Sequence, residues 1–354
     1  MLTMKKILLT PFLVILLIGC PACSGQEREF SYCSSPVGWD KVSLADGGLP
    51  AGTGRILVIT NRPYDPDRGD GILFPNEIAQ YREVSYLLAS CDGSGWKLSL
   101  LPDMETGLSE IDEGGDMLLF VHGHGKSLPQ VLTRAHQVRE LYGVAVVVFD
   151  WPSRNSNFNK SLSRVRRCGE NYYNLLLQLQ DYRNSSMTGE QHLSMMLHSL
   201  GNYYLTHMVV NGNIQYLDEK IFDNIIMSAP AVRSKEHGEV LSRVNIQDRL
   251  YILFNDQDKV LRGAHLLTSG RMLGNVVMDP LAPNATYVDF TAVAGMEHTY
   301  FAGYHDFEFD LPAMGHFFDT AIHGGKVNFN DPDMYLRQGE RPRYVVRNPD
   351  LVQE

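Results

Sequence analysis

The chain has 354 residues, enough for one large domain or two small ones, and its 44% hydrophobic and 20% charged residues suit a globular protein with a real core. A formal net charge of −10 disfavours charge-driven binding to nucleic acid or to an anionic membrane surface. No run of like charges reads as a tail, and no repeat at solenoid or propeller period is present.

Taken in chain order, the first residues read as an export signal. Lys5 and Lys6 form a short basic region, and Ile7 to Gly19 is apolar apart from Thr10 and Pro11. That stretch is short for a bilayer span, which takes about 20 apolar residues. Leu17-Ile18-Gly19-Cys20 resembles the bacterial lipobox. The resemblance implies a signal peptide over residues 1–19, cleavage before Cys20, and acylation of the Cys20 thiol. The expected location is then the cell envelope, with a lipid anchor at Cys20 holding the protein to a membrane. Residues 20–54 are rich in Ser, Gly and Pro and read as a tether. Four further cysteines remain, Cys23, Cys33, Cys91 and Cys168, and three complete pairings are open to them in an oxidising compartment.

From residue 55 onward apolar runs alternate with longer amphipathic segments, the pattern of a mostly parallel sheet covered by helices. Strands are expected at 55–60, 97–101, 116–121, 144–149, 193–198, 224–227, 250–254 and 286–290. Several are continuous apolar runs, as at Val144 to Phe149, which suits strands buried on both faces. Helices are expected at 76–90, 127–141, 162–182, 202–211, 235–244 and 311–323. The fold class this predicts is α/β, a doubly wound sheet with helices on both faces, over residues 55–323. Residues 324–354 read as an irregular tail packed on that domain.

An apolar strand runs through Met195-Met196-Leu197-His198 into Ser199-Leu200-Gly201-Asn202, and a helix follows. A serine on such a strand-to-helix turn is held above the sheet edge with its Oγ exposed. The turn wants small residues two before and two after the serine. Gly201 satisfies the second demand and Leu197 does not satisfy the first. The same position would equally suit a helix N-cap. Phe120-Val121-His122-Gly123-His124-Gly125 follows another strand. There Gly123 would let the backbone approach, so that the N–H of His124 or Gly125 joins that of Leu200 in binding an oxyanion. The spacing His122-x-His124 could also chelate a metal. Lys126 and Ser127 stand where further ligands would be needed, and a lysine repels a cation, so no metal and no cofactor is expected.

A serine nucleophile needs a general base and an acid to orient it, in the chain order Ser, Asp or Glu, His. The run at 250–254 exits through Asn255-Asp256-Gln257-Asp258-Lys259, where Asp258 fits the acid position and Asp256 is second choice. His298 is the first histidine after the last strand, ahead of His305 and His316.

These residues resemble a bacterial family of α/β-hydrolases of unknown function. The matching pieces are Ile59-Thr60-Asn61-Arg62, Phe120-Val121-His122-Gly123, Phe149-Asp150-Trp151-Pro152-Ser153, His198-Ser199-Leu200-Gly201-Asn202, Ala229-Pro230, Asp258-Lys259 and His298-Thr299-Tyr300-Phe301, all in the family's order. The resemblance implies the α/β-hydrolase fold and a triad of Ser199, Asp258 and His298, with Trp151 lining the pocket or packing beneath it. The chain departs from the family pattern at Leu197, at Ala231-Val232 and at His124-Gly125.

Two functions follow as expectations. One is a serine hydrolase acting on a carboxylic ester or another acyl-containing small molecule. The other is a non-catalytic envelope binding protein on a hydrolase scaffold.

Overall fold

The continuous apolar runs become strands because a chain segment with no polar side must be covered on both faces. The computed structural model describes residues 38–347 save 46–48, 50–53, 81–82, 155–156, 269, 303–311 and 341. Cys20, Cys23, Cys33 and His305 therefore lie outside the described residues, as does the signal and most of the tether. In chain order the strands are β1 (Val42–Leu44), β2 (Ile56–Thr60), β3 (Ser85–Cys91), β4 (Trp96–Leu101), β5 (Met117–Val121) and β6 (Ala145–Asp150). They continue with β7 (Leu193–His198), β8 (Phe222–Ser228), β9 (Gln247–Phe254), β10 (Ala285–Asp289), β11 (Tyr335–Arg337) and β12 (Arg343–Val346). They form one sheet in the order β1-β4-β3-β2-β6-β5-β7-β8-β9-β10-β12-β11. Among its described pairs only β2/β3, β3/β4 and β11/β12 are antiparallel.

The helices are α1 (Met104–Ile111), α2 (Leu128–Tyr142), α3 (Phe158–Ser185), α4 (Asn202–Val210), α5 (His237–Leu241), α6 (Lys259–Thr268), the short α7 (Thr291–Ala294) and α8 (Pro312–Ile322). Helix α3 packs between α1 and α4, and α4 packs on α5. Helices α2 and α8 meet through the rings of Tyr142 and Phe318, 6.3 Å apart. Helix α2 is fixed at both ends by local sequence. Ser127 and Gln130 form a capping box, and Gly143 ends the helix in the left-handed region at φ 65°. Among the described residues no helix is long and apolar enough to cross a membrane.

All eight expected strands are present. The helix expected at 76–90 is not: Ser85–Cys91 is β3, hydrogen-bonded between β2 and β4. Two open strand edges with buried Leu57, Val58 and Leu98 offer Leu87, Leu88 and Ala89 more burial and more hydrogen bonds than a lone helix would. The segment expected to be irregular after residue 323 supplies β11 and β12, which extend the sheet beyond β10. Helices α1 and α6 were not expected. Each is begun by an aspartate, Asp103 accepting from Thr106 N–H and Asp258 from Val260 and Leu261 N–H.

Parallel strands point their carboxyl ends the same way, so the loops after β2, β5, β6, β7, β8, β9 and β10 share one edge. A buried ion pair fastens that edge. Arg62, 1% exposed, donates from Nε to Asp150 Oδ2 at 2.7 Å and from Nη2 to Asp150 Oδ1 at 3.2 Å. It also donates to Trp151 O and Lys126 O. Thr60 Oγ donates to the same carboxylate at 2.6 Å, and His122 Nε2 lies 3.0 Å from Asp150 Oδ1. Burial alone would raise the Asp150 carboxyl; Arg62 and the His122 hydrogen bond outweigh it and hold Asp150 well below the usual carboxylate range.

Replacing Arg62 by Met leaves that carboxylate buried and unpaired. Urea unfolding is expected to show a loss of about 3–5 kcal/mol, with a smaller loss for the double variant Arg62→Met, Asp150→Asn. Because the folded Asp150 value is depressed, its contribution is complete above about pH 4 and is lost as the pH falls further. Asp150→Asn should flatten the acid limb of stability against pH.

Candidate active site

Strand β7 delivers Ser199 to the carboxyl edge between the ends of β5 and β8. Ser199 has φ 53°, a left-handed conformation costly for a residue with a Cβ. Three contacts hold it there. Asn202 is wholly buried and donates from Nδ2 to Leu197 O, Ser199 O and Ser228 O, at 2.9–3.2 Å. Ala231 N–H donates to Ser199 O at 3.0 Å. Gly201 lies under the end of β5, where a Cβ would sit 2.6 Å from Val121 O. Gly123 is equally constrained, since its Cβ would meet Ser199 Cβ at 2.8 Å. Leu197 does not disturb the turn: it is fully buried within β7, in register with Val121 and Met227, and Ser199 keeps its positive φ.

The loop after β9 carries Asp258, and the segment after β10 and α7 carries His298. His298 Nδ1 lies 2.6 Å from Asp258 Oδ2. A carboxylate only accepts, so Nδ1 carries the proton and Nε2 presents its lone pair. Asp258 Oδ1 meanwhile accepts the α6 N–H groups of Val260 and Leu261, so one side chain both caps a helix and orients an imidazole. Asn255 holds the His298 segment from below, donating to Gly295 O at 2.8 Å and Glu297 O at 3.0 Å. Asp256 is exposed and hydrogen-bonds through its backbone, donating from N–H to Thr291 Oγ1 and accepting at O from Arg262 and Asn275. His316 lies in α8 against Tyr335 OH, away from this cluster.

His298 is brought to the serine turn by the residue before Ser199. His198 Nε2 donates to His298 O at 3.1 Å, and the two rings are 4.7 Å apart. Burial, then the neighbouring His298 ring, pushes the His198 imidazole well below its ordinary value, so it is neutral. Among the described residues no hydrogen bond joins Ser199 Oγ to His298, a contact that commonly tightens only with substrate.

The upstream loop is built on the Arg62–Asp150 pair. His122 stacks on Trp151 at 5.6 Å, and Trp151 Nε1 donates to His122 O. Trp151 is fully buried and packs beneath the loop. Gly125 N–H donates to Ser153 O, which removes it as an oxyanion donor. The ring of His124 is held by Ser161 Oγ at 2.9 Å. Leu200 occupies the first helical turn, where backbone N–H groups lack intrahelical acceptors. The His122 and His124 rings thus serve separate protein partners, and no metal-binding group of three or more His, Cys, Asp or Glu occurs among the described residues.

The family described as "Alpha/beta hydrolase of unknown function (DUF900)" matches residues 103–303, more than half of the chain, with Ser199, Asp258 and His298 inside the match and Arg62 outside it. The chain belongs to that family. No curated protein matches it in sequence. Solved structures similar to it include a hyperthermophilic esterase from the archaeon Pyrobaculum calidifontis, at 12% identity over 68% of this chain and 82% of that one, TM-score 0.39. A carboxyl esterase from the mycorrhizal fungus Tuber melanosporum is similar at 13% over 68% and 83%, TM-score 0.38. A thermostable carboxylesterase cloned from a metagenomic library is similar at 13% over 69% and 85%, TM-score 0.37.

Within this α/β hydrolase, the residues that sequence reasoning did not assign are the supporting ones: His198, Asn202, Asn255 and the Arg62–Asp150 pair. Asn202 and Arg62 stood inside recognisable motifs, yet only three-dimensional proximity reveals what they hold. Of the remaining cysteines, Cys91 is disulfide-bonded, whereas Cys168 is free and buried in α3, its thiol pushed up to about 12 chiefly by burial.

Two variants test this construction. Gly201→Ala should cost about 1–3 kcal/mol in urea unfolding, since the new methyl meets the backbone of β5. His198→Phe should flatten the dependence of stability on pH. The folded His198 value is depressed, so its contribution is complete above about pH 6.5 and is lost as the pH falls below that, where the unfolded chain takes up the proton first. An unchanged slope between about pH 7 and 5 would show that His198 does not titrate this way.

Proposed function

We propose that this α/β hydrolase is a serine hydrolase of carboxylic esters, with Ser199 as nucleophile, His298 as general base and acid, and Asp258 orienting His298. The observation that carries the reading is the Asp258–His298 bond of 2.6 Å, anchored through His198 to the turn that holds Ser199 at positive φ. Ser199 Oγ attacks the ester carbonyl carbon and passes its proton to His298 Nε2. The tetrahedral oxyanion is bound by the backbone N–H groups of Leu200 and His124. Collapse breaks the bond to the alcohol oxygen, which leaves with the proton from His298. Water, deprotonated by His298, then releases the carboxylic acid and restores Ser199. No cofactor or metal enters the scheme. The substrate is a small molecule bearing an acyl group. The lipobox-like Leu17-Ile18-Gly19-Cys20 supports placing the enzyme in the cell envelope on a lipid anchor at Cys20, where acylated envelope molecules are within reach.

A fluorophosphonate probe applied to the purified chain, with the modified residue mapped by mass spectrometry, tests the reading. Labelling is expected at Ser199 and should vanish in Ser199→Ala. Asp258→Asn should retain the fold and lower turnover by about 10⁴-fold, as loss of the orienting carboxylate does in such triads. A well-folded chain whose Ser199 stays unlabelled would overturn the reading in favour of a binding protein on a hydrolase scaffold.

A further inference from the structure

A cavity of about 550 Å³ lies between the start of α3, the outer face of α4 and the segment that follows β8. Its volume falls within the range of small-molecule sites. Its apolar walls include Phe158, Val240 and Met272, while Arg233, Glu236 and His237 add a polar side. Along α4 it follows Tyr203, Thr206 and Val210, positions on one helical face. Seven residues at 1.5 Å each make that wall about 10 Å long. It is therefore a trough with a direction, running away from the turn that carries Ser199.

Three of its walls are joined to the proposed catalytic groups. Ala231, in the lining, donates its N–H to Ser199 O at 3.0 Å. Phe158, also in the lining, packs its ring 6.3 Å from that of His124, whose backbone N–H is a proposed oxyanion donor. Tyr203 is four residues beyond Ser199 on the helix that begins at the turn, and Arg166, which also lines the trough, donates to its hydroxyl at 3.1 Å. The trough thus borders the segments that hold Ser199 and His124. A partly apolar trough beside the turn and the oxyanion loop suits a substrate with a polar ester at one end and hydrocarbon at the other.

We propose that this trough is the binding cleft for a long apolar arm of the ester substrate, an inference that rests on the serine-hydrolase reading above. The substrate class it selects is the ester of a medium-length or longer hydrocarbon group rather than of a short acid and a short alcohol. Both arms of an ester can be hydrocarbon, and one trough takes one of them.

The experiment uses the full chain and two substrate series, para-nitrophenyl esters from acetate to octanoate and alkyl acetates from ethyl to octyl. The readout is the ratio of kcat/KM for the longest member to that for the shortest. The variants are Val240→Trp, which fills the trough, and Val210→Trp, which narrows its far end from a position that is 62% exposed and so is safe for folding. The wild-type ratio is expected to exceed one in one series, which identifies the arm that enters the trough, and to fall by about tenfold or more in the variants. A ratio near one in both series, or a ratio unchanged in variants whose Ser199 still takes a short-chain fluorophosphonate, overturns the cleft and leaves the serine-hydrolase reading standing. Absence of both labelling and ester turnover in the wild type overturns the two together.

Discussion

The buried pair of Arg62 and Asp150 is the constraint on which the candidate site rests. Two charges without access to water are tolerable only if each is surrounded by partners, and here the partners are the loops themselves. The guanidinium takes up carbonyls at 126 and 151, and the carboxylate takes up Thr60 and His122. Neither ion can be satisfied unless the ends of β2, β5 and β6 converge. The electrostatic demand of one pair thereby becomes the geometry of the loop that carries His124.

A second economy is visible at the serine turn. The strain at Ser199 is met by the side chain of one asparagine, Asn202, which gathers carbonyls from β7, from the turn and from the end of β8. On the opposite wall Asp258 divides its two oxygens between a helix start and an imidazole. Each polar group thus ties together segments that are separate in the chain, which is how a cluster drawn from several loops is held in place.

The fold class was legible in the sequence for physical reasons, and the candidates Ser199, Asp258 and His298 came from the chain order a triad would take in that fold and from the family resemblance. Strands buried on both faces cannot hide their hydrophobicity, whereas a serine and glycine at a strand end suit a helix N-cap as well as a nucleophile turn. What escaped was whatever depends on partners distant in the chain. Tyr86-Leu87-Leu88-Ala89 can read as either helix or strand, and the open edges of β2 and β4 decide it. The last strands, β11 and β12, are three and four residues long and gain their identity only by pairing with each other and with β10. His198 looked like an ordinary strand residue; its hydrogen bond to His298 spans 100 positions. The preference for Asp258 over Asp256 agrees with the hydrogen bonding, because only Asp258 meets His298 and begins a helix.

The shortness of the outermost strands matters beyond the fold. A sheet of twelve strands would offer long rows of unsatisfied amide groups at its borders if its end members were long. Here the borders are β1 and β11, each three residues in length. So brief a border gives an incoming chain too little ladder to register against. Among the described residues, so extensive a sheet therefore offers little edge along which copies could zip together.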